Sequence, residues 1–310
     1  MRFIGNSDQS SARYWDDLAE LYQRETRIST NDFHYGPLLP GDSEIKLLPA
    51  GLCRGSGAAR TADEIRCLEI GCGAGQNSIF LAKQGAPCVA IDISEAQLAH
   101  GRKLAAAEKV EVDFRRVSMD SLDQLQNPPR PSLRSGHPSR GGDRLESPPS
   151  EEYPQGGVGL FDFIHSTYAL PFSADPQKVI AKTAAMLNPG GTFLLTTGHP
   201  LYAGEWLDIG DGEEGLFLPD YFRPEPDVRM SLDDKTMSAA HYWPVSSIAG
   251  WIHAAGLVLE RLLEPMPVPI LEMSEPEIRA RVPYESAGWR ELYPRLARIP
   301  VVVIFKCRRV

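Results

Sequence analysis

Short apolar runs alternate with helix-like segments between residues 66 and 198. Five runs have the length and β-branched content of strands: RCLEI from position 66, CVAID from 88, VEVDFRRV from 110, FDFIHST from 161 and TFLLTTG from 192. Helices are predicted between them over 77–86, 94–109 and 175–187. Ser94 and Gln97 form a capping box at the start of the second helix, and Asp175 caps the third. This alternation predicts a doubly wound, mostly parallel α/β sheet.

Two further apolar runs near the C-terminus complete a sheet of seven strands. They lie at 257–265 (LVLERLLEP) and within 296–310 (PVVVIFKCRR), and the long connection before the last one favours antiparallel pairing at or near an edge. The core is therefore expected over 61–198 together with these two strands. Residues 199–256 and 266–295 contain 11 of the 26 aromatic residues. We interpret them as a substrate-binding cap built from helices and loops.

Composition and charge indicate which binding partners and which cellular compartment to expect. Residues 127–157 are mostly Pro, Ser, Gly, Arg and Glu, which predicts a mobile surface insertion, with a binding role for its arginines as the alternative. A net charge of −9 argues against nucleic acid as the main partner. No apolar run approaches the roughly 18 residues of a membrane span, and the N-terminus lacks a signal-peptide core. We expect a cytoplasmic protein without a membrane partner.

Cysteine and histidine spacing offers no cross-link and no metal site. The five cysteines are scattered without a C-x-x-C pair, so they are interpreted as reduced thiols. The seven histidines show no spacing typical of metal ligands. The chemistry must therefore be sought in other motifs.

The turn after the first predicted strand carries three glycines in a G-x-G-x-G spacing: Gly71, Gly73 and Gly75. A dinucleotide turn requires G-x-G-x-x-G, and Gln76 occupies the position of its last glycine. Asp92 ends the second strand, where a carboxylate accepts hydrogen bonds from both ribose hydroxyls and repels a 2′-phosphate. Glu69 opposes a pyrophosphate and suits a positively charged ligand. These features favour an adenosyl ligand without phosphates, and NAD remains the alternative.

On these residues the chain resembles the class I S-adenosylmethionine-dependent methyltransferases. The matching motifs are LEIGCGAGQNSIFLAKQGA (68–86), VAIDIS (89–94), FDFIHSTYALPF (161–172) and MLNPGGTFLLTT (186–197). The resemblance implies a Rossmann-like sheet, S-adenosylmethionine as cofactor and an N-terminal helical lid over 1–60. It implies cofactor contacts at Tyr35, Glu69, Gly71, Gly73, Gly75, Asn77, Asp92, Ile93, Ser118, Met119, Asp120 and His165. Ser118 replaces the family's usual acid and Met119 its usual alanine, which leaves the adenine contact open.

The acceptor is expected to be a small aromatic metabolite containing nitrogen, methylated on nitrogen or on a ring carbon. His199 and His241 are candidate bases, with turn capping and core packing as the alternatives. The candidate acceptor contacts are Tyr22, Glu25, His34, Tyr168, Trp206, Tyr221, Phe222, Arg229 and Trp243. For each of these, ordinary packing or a solvated charge is the alternative.

Three other functions stay open at this point. The first is a methyltransferase acting on a phenolic oxygen. The second is a protein that binds S-adenosylmethionine but has lost methyl transfer and acts as a partner. The third is an oxidoreductase that uses a nicotinamide cofactor.

Overall fold

The computed structural model describes residues 8–53, 60–125, 160–231 and 237–310. The helices in this part of the chain are α1 (Asp8–Glu25), α2 (Asp42–Ile45), α3 (Gln76–Lys83), α4 (Glu95–Ala107), α5 (Pro176–Met186), α6 (Val245–Ala254), α7 (Glu275–Arg281), α8 (Ala287–Glu291) and α9 (Tyr293–Leu296). The strands are β1 (Thr26–Ile28), β2 (Cys67–Ile70), β3 (Cys88–Asp92), β4 (Asp113–Arg116), β5 (Phe161–Thr167), β6 (Leu187–Gly198), β7 (Glu205–Gly210), β8 (Glu213–Phe217), β9 (Asp227–Met230), β10 (Met237–Ala240), β11 (Leu257–Leu263), β12 (Tyr284–Ser286) and β13 (Val302–Arg309). The predicted insertion at 127–157 lies outside the described residues.

Within these ranges, seven strands form the central sheet in the order β11–β13–β6–β5–β2–β3–β4. β2 to β6 pair in parallel, whereas β13 is antiparallel to both β6 and β11. The predicted seven-stranded, mostly parallel sheet is confirmed, as is its antiparallel last strand. The strand order reverses between β2 and β5. The carboxyl ends of these two strands therefore form the topological switch point, where ligands bind in such sheets.

Both faces of the sheet are covered by apolar layers. Successive strand residues point to opposite faces: Phe163 packs in a cluster with Phe33 of the N-terminal segment, while Ile164 packs with Val179 of α5 and Ile248 of α6. Burial of these side chains removes apolar surface from water, which is the main stabilising contribution to such a core. Because both faces are covered, the edge formed by the carboxyl ends of the strands is where a ligand-binding site can form.

Local sequence signals set most element boundaries as predicted. The Ser94 hydroxyl accepts a hydrogen bond from the Gln97 amide at 3.1 Å, and Asp175 accepts one from the Lys178 amide at 3.0 Å. The segment 188–191 lies within β6, which begins at Leu187. Here the pairing with β5 shifts from Phe161–Leu187 to Phe163–Thr192, and Gly190 adopts a φ of 77° between the two registers.

The cap contains strands that the sequence analysis did not predict. β7 pairs with β8 and β9 pairs with β10, both antiparallel. The β7–β8 turn uses Gly210, Asp211 and Gly212 at φ values of 101°, 54° and 78°, and positive φ is typical of tight hairpins. The helices α6 and α7 lie within the two predicted cap ranges. The expected cap of helices and loops is therefore corrected to one that also contains two strand pairs.

The N-terminal segment lies over the carboxyl edge of the sheet. α1 is tied to α4 through Asp16, and β1 pairs antiparallel with β12 near the other end of the chain. Beyond β1, residues 29–53 are mostly irregular, so α1 is the main helical part of the predicted lid. None of the described helices is both long and apolar enough to cross a membrane.

Candidate functional site

A cavity of about 410 Å³ opens at the carboxyl ends of β2, β3 and β5. It collects about half of the residues predicted from the sequence: Tyr22, His34, Glu69, Gly71, Gly73, Asp92, Ile93, Ser118, Met119, Asp120, Tyr168 and Arg229. The other predicted residues do not line it: Glu25, Tyr35, Gly75, Asn77, His165, His199, Trp206, Tyr221, Phe222, His241 and Trp243. Its position at the switch point makes this cavity the candidate site.

The glycine turn forms the floor of the cavity and requires glycine. Gly71 and Gly75 adopt φ values of 68° and 67°, which side chains rarely tolerate. A Cβ atom on Gly71 would lie 2.3 Å from the Cβ of Ala169, and one on Gly75 would lie 2.6 Å from the Phe114 ring. Gly75 therefore acts through close packing beneath the cavity rather than at its surface.

Asp92 is fixed at the rim of this turn by backbone donors. Its two carboxylate oxygens accept hydrogen bonds from the Gly73 amide at 2.8 Å and the Ser94 amide at 2.9 Å. Burial raises the pKa of Asp92, and these amide donors act in the opposite direction. Each oxygen keeps lone pairs that can accept further hydrogen bonds.

Glu69 is a buried carboxyl at the end of β2. One of its oxygens accepts hydrogen bonds from the Ser78 hydroxyl at 2.6 Å and the Ser78 amide at 3.0 Å. Burial raises the pKa of Glu69 to about 7, against the effect of these donors, and the nearby charge of Asp92 adds to the increase. A positively charged ligand beside this carboxyl would favour its ionised form.

The segment after β4 borders the cavity beside Asp92. The Ser118 hydroxyl donates to Asp8 of α1 at 2.9 Å, so a carboxylate does approach this position, from another element. The Asp120 carboxylate accepts hydrogen bonds from the Ser173 hydroxyl at 2.7 Å and the Ala174 amide at 3.0 Å. Met119 lies between Ser118 and Asp120 and presents an apolar surface.

Three predicted cofactor residues have structural roles instead. The Tyr35 hydroxyl donates to the Asp42 carboxylate in the core. The Asn77 side chain donates to the His34 carbonyl at 3.0 Å and accepts from the His34 amide at 2.9 Å, so it positions a cavity residue. The His165 ring stacks on Phe163 with 5.2 Å between ring centroids. None of the three reaches the cavity, so their assignment as cofactor contacts is corrected.

The two candidate bases also lie away from the cavity. His199 caps a short turn: its Nδ1 accepts from the Leu201 amide at 3.2 Å, and its Nε2 lies 2.9 Å from a Glu264 oxygen. His241 stacks on Trp243, with 5.7 Å between the ring centroids. Burial lowers the pKa of both histidines. The structure therefore places neither at the reacting end of the cavity.

Several predicted acceptor contacts lie outside the cavity, either packed against other residues or exposed to solvent. The Trp206 ring is covered by the Arg298 guanidinium, 4.9 Å from the ring centroid. Phe222 is 73% exposed, and Tyr221 packs against it with 5.3 Å between ring centroids. Glu25 is exposed and pairs with its neighbour Arg24. These are the packing and solvated-charge alternatives stated for each residue.

The aromatic wall comes from residues that sequence reasoning missed: Trp15, Phe172, Tyr202, Tyr284 and Trp289. They line the same cavity as Tyr22 and Tyr168. A helical-face argument could have found Trp15, because it lies seven residues before Tyr22 on α1 and shares its face. The other four come from segments far apart in sequence, and no local pattern brings them together.

Tyr168 and His34 also line the cavity, and both carry buried polar atoms. Tyr168 follows β5 at φ 65°, an uncommon value for a residue other than glycine, and its buried hydroxyl has no hydrogen-bond partner among the described residues. His34 is buried as well, and burial lowers its pKa to about 3, so its imidazole is neutral near pH 7. In the described part of the chain, no three His, Cys, Asp or Glu side chains gather as metal ligands would.

The chain is similar in sequence to known methyltransferases. A family model described as "Methyltransferase domain" matches residues 48–262. The "Ubiquinone biosynthesis O-methyltransferase" of Pasteurella multocida is 28% identical over 146 residues, which are 47% of this chain and 51% of that protein. The protein of the same name in Xanthomonas axonopodis pv. citri is 24% identical over 195 residues, 63% of each chain. The chain thus spans about half the length of the curated relatives it matches.

Solved structures share the fold at low sequence identity. An S-adenosylmethionine-dependent methyltransferase from Mesorhizobium loti gives a TM-score of 0.54 at 20% identity, covering 86% of this chain and 96% of that one. The [4+2]-cyclase SpnF gives 0.52 at 15% identity, covering 99% and 97%. Since the names of these two structures describe different chemistries, the shared fold alone does not define the reaction.

Proposed function

The chain belongs to the methyltransferase-domain family, and from that premise we propose that it transfers a methyl group from S-adenosylmethionine to a small aromatic metabolite. The observation that carries this proposal is one cavity of about 410 Å³ that joins the glycine turn and Asp92 to an aromatic wall. Cofactor and acceptor can lie side by side in such a space, which is the main requirement for methyl transfer.

The cofactor end of the cavity fits an adenosyl ligand that carries no phosphate. Asp92 is held by two amide donors and retains lone pairs for ribose hydroxyls. A Cβ atom on Gly73 would meet only the Gln97 side-chain oxygen within 4 Å, at 3.9 Å, so this stretch of backbone is open to a ligand. Ile93 and Met119 add apolar surface against which the adenine ring of the ligand can pack.

The residues of the chain bind and align the reactants rather than react with them. When bound, S-adenosylmethionine supplies a methyl group that is activated by its positively charged sulfur. Trp15 and Tyr22 of α1 cover the cavity, and Tyr168 lines it just after the end of β5. Neither His199 nor His241 lines this space, so we assign no base role to either residue.

We propose a planar aromatic acceptor because seven aromatic side chains face the cavity within the described ranges: Trp15, Tyr22, Tyr168, Phe172, Tyr202, Tyr284 and Trp289. Flat apolar walls of this kind favour stacked or edge-on contacts with a ring. The nitrogen-containing acceptor expected from the sequence stays a proposal. The curated relatives support methylation of oxygen as the second candidate, since O-methyltransferase is part of their names.

Calorimetric titration of the whole chain with S-adenosylhomocysteine, and separately with NAD, tests the cofactor. We expect roughly micromolar binding of the first and no binding of the second. Asp92→Ala should weaken S-adenosylhomocysteine binding about tenfold, because a buried hydrogen-bond acceptor is removed. Asp123→Ala is the control, since Asp123 is exposed, pairs with Lys182 and does not line the cavity.

Binding of NAD, or wild-type affinity in Asp92→Ala, would contradict the assignment of the cavity. Methyl transfer is then followed by mass spectrometry with S-adenosylmethionine and a panel of aromatic acceptors. A methylated product supports the proposal. Tight cofactor binding without any product across the panel would instead favour a partner protein that has lost methyl transfer.

A further inference from the structure

The acceptor end of the cavity contains one permanently charged cation among its described residues, Arg229 of β9. Its Nε atom donates to Asp227 at 2.8 Å. Its Nη2 atom lies 2.7 Å from the same Asp227 oxygen and donates to the Tyr242 hydroxyl at 3.1 Å. The guanidinium carbon lies 5.5 Å from the centroid of the Phe172 ring. The other terminal nitrogen, Nη1, makes no hydrogen bond to the described residues and carries two N–H donors.

Resting on the proposed function, we propose that the acceptor carries an acidic oxygen, phenolic or carboxylic, on its aromatic ring and that Arg229 binds this oxygen in its ionised form. Arg229 lines the cavity and its side chain is 32% exposed, so the free Nη1 donors can reach a ligand there. An oxygen anion is the ligand group that such donors complement, and charge-assisted hydrogen bonds from arginine are stronger than neutral ones.

Asp227 does not cancel the positive potential in this region. Burial raises the pKa of Tyr202, but the charge of Arg229 lowers it, and Asp227 opposes Arg229 by a smaller amount. The same order of effects holds at Tyr242. Arg229 likewise lowers the pKa of Tyr284 against the larger effect of burial. The field of the Arg229–Asp227 pair is therefore net positive at neighbouring hydroxyls, although burial still raises the pKa of each of these tyrosines overall. A hydroxyl of the acceptor that contacts the guanidinium directly gains a partner that favours its ionised form.

The other carboxyls that line the cavity are engaged at its cofactor end. Glu69 accepts from Ser78, Asp92 from two backbone amides, and Asp120 from Ser173. Asp8 accepts from Ser118. His34 supplies no positive charge, because burial keeps its imidazole neutral. Binding of an acceptor oxygen thus depends on Arg229, and the proton released on ionisation passes to solvent.

A chromogenic phenol can report how far Arg229 stabilises an ionised oxygen, without any methyl transfer. The test is a titration of 4-nitrophenol with the whole chain, saturated with S-adenosylhomocysteine, in which the absorbance of the phenolate is followed against pH. The bound probe should ionise at least about one pH unit lower than the free probe, a tenfold preference for the anion. Arg229→Gln should abolish this shift. Arg229→Lys should retain part of it, because lysine keeps the charge but loses the planar fork.

Arg223→Gln is the matched control, since Arg223 is an exposed arginine that does not line the cavity. It should leave the probe titration unchanged. Thermal unfolding of each variant and its affinity for S-adenosylhomocysteine show that Arg229→Gln is folded. An unshifted probe in the wild type, or the same shift in Arg229→Gln, overturns the role of Arg229.

Competition by 4-nitrobenzoate and nitrobenzene distinguishes the sources of the oxygen. Tighter binding of 4-nitrobenzoate than of 4-nitrophenol indicates a carboxylic acceptor, and the reverse order indicates a phenolic one. Equal binding of neutral nitrobenzene overturns the proposal. All probe titrations are repeated without S-adenosylhomocysteine. A loss of cofactor binding would count against the proposed function, and this control separates it from a loss of the probe shift that depends on Arg229.

Discussion

The two carboxyls at the cofactor end, Glu69 and Asp92, illustrate how burial at a site opposes stability. Burial raises the pKa of both, and their hydrogen-bond donors only partly offset this effect. For Glu69 the folded-state pKa of about 7 lies above its ordinary value of 4.5. The fold is thus favoured by protonation of Glu69, and that contribution is lost as pH rises from 4.5 through about 7.

From this we predict that binding of S-adenosylmethionine weakens as pH falls below about 7. A cationic ligand favours ionised Glu69, so protonation of this carboxyl competes with binding, by up to about tenfold for each pH unit. His165, whose Nδ1 lies 4.0 Å from a Glu69 oxygen, does not titrate in this window because burial lowers its pKa to about 3. Calorimetric affinities between about pH 6 and pH 8 measure the effect.

Glu69→Gln is the control for this pH dependence. Its amide oxygen can still accept from Ser78, so the fold should be kept, while the affinity should be lower and independent of pH. Without ligand, this variant should resist urea better than the wild type at about pH 8, because the buried charge is gone. A slope equal to that of the wild type would show that another group controls binding.

Among the elements, α1 both anchors itself to a neighbouring helix and lines the cavity. The Asp16 carboxylate accepts hydrogen bonds from the Ser94 hydroxyl at 2.6 Å and the Ala96 amide at 3.0 Å, at the positive end of α4. The neighbouring residue Trp15 lines the cavity. This contact therefore fixes one wall of the site from outside it.

We predict that Asp16→Ala raises the dissociation constant of S-adenosylhomocysteine about fivefold. Loss of a helix-terminal carboxylate is worth about 1 kcal/mol, and here it also loosens the wall that carries Trp15. Glu20→Ala on the same helix is the control, since the Glu20 side chain is 80% exposed. If Asp16→Ala lowers thermal stability but leaves the affinity unchanged, α1 supports the fold without shaping the site.

Sequence reasoning succeeded for elements whose signals are local. The glycine turn, the strand that ends at Asp92 and the cap at Ser94 each depend on a few neighbouring residues. The wall of the cavity does not: Tyr284 reaches it through the pairing of β12 with β1, some 260 residues away along the chain. His199 was misassigned for the same reason, because its partner Glu264 lies on another segment.

At the scale of the whole molecule, a segment from the N-terminal part of the described chain and one from its C-terminal part meet beside the cavity. β1 and β12 pair beside it, and Glu285 of β12 binds both Arg27 of β1 and Arg290 of α8. Burial alone would raise the pKa of Glu285, but the two arginines outweigh it and hold this pKa below its usual range. The stability from Glu285 is thus present near pH 7 and is lost as pH falls through its lowered pKa.

Glu285 ties β1 to β12 and α8 through its two arginine partners. Glu285→Gln should lower the free energy of unfolding by about 1–3 kcal/mol, because it leaves two arginines without their buried partner. It should also weaken binding of S-adenosylhomocysteine, since Tyr284 and Trp289 on either side of Glu285 line the cavity. Glu275→Gln should change both quantities little, because the Glu275 side chain is 57% exposed and pairs with Arg290 at the surface. Urea unfolding and calorimetry measure the two effects. A loss of stability with unchanged affinity would mean that the β1–β12 pair supports the fold independently of the site.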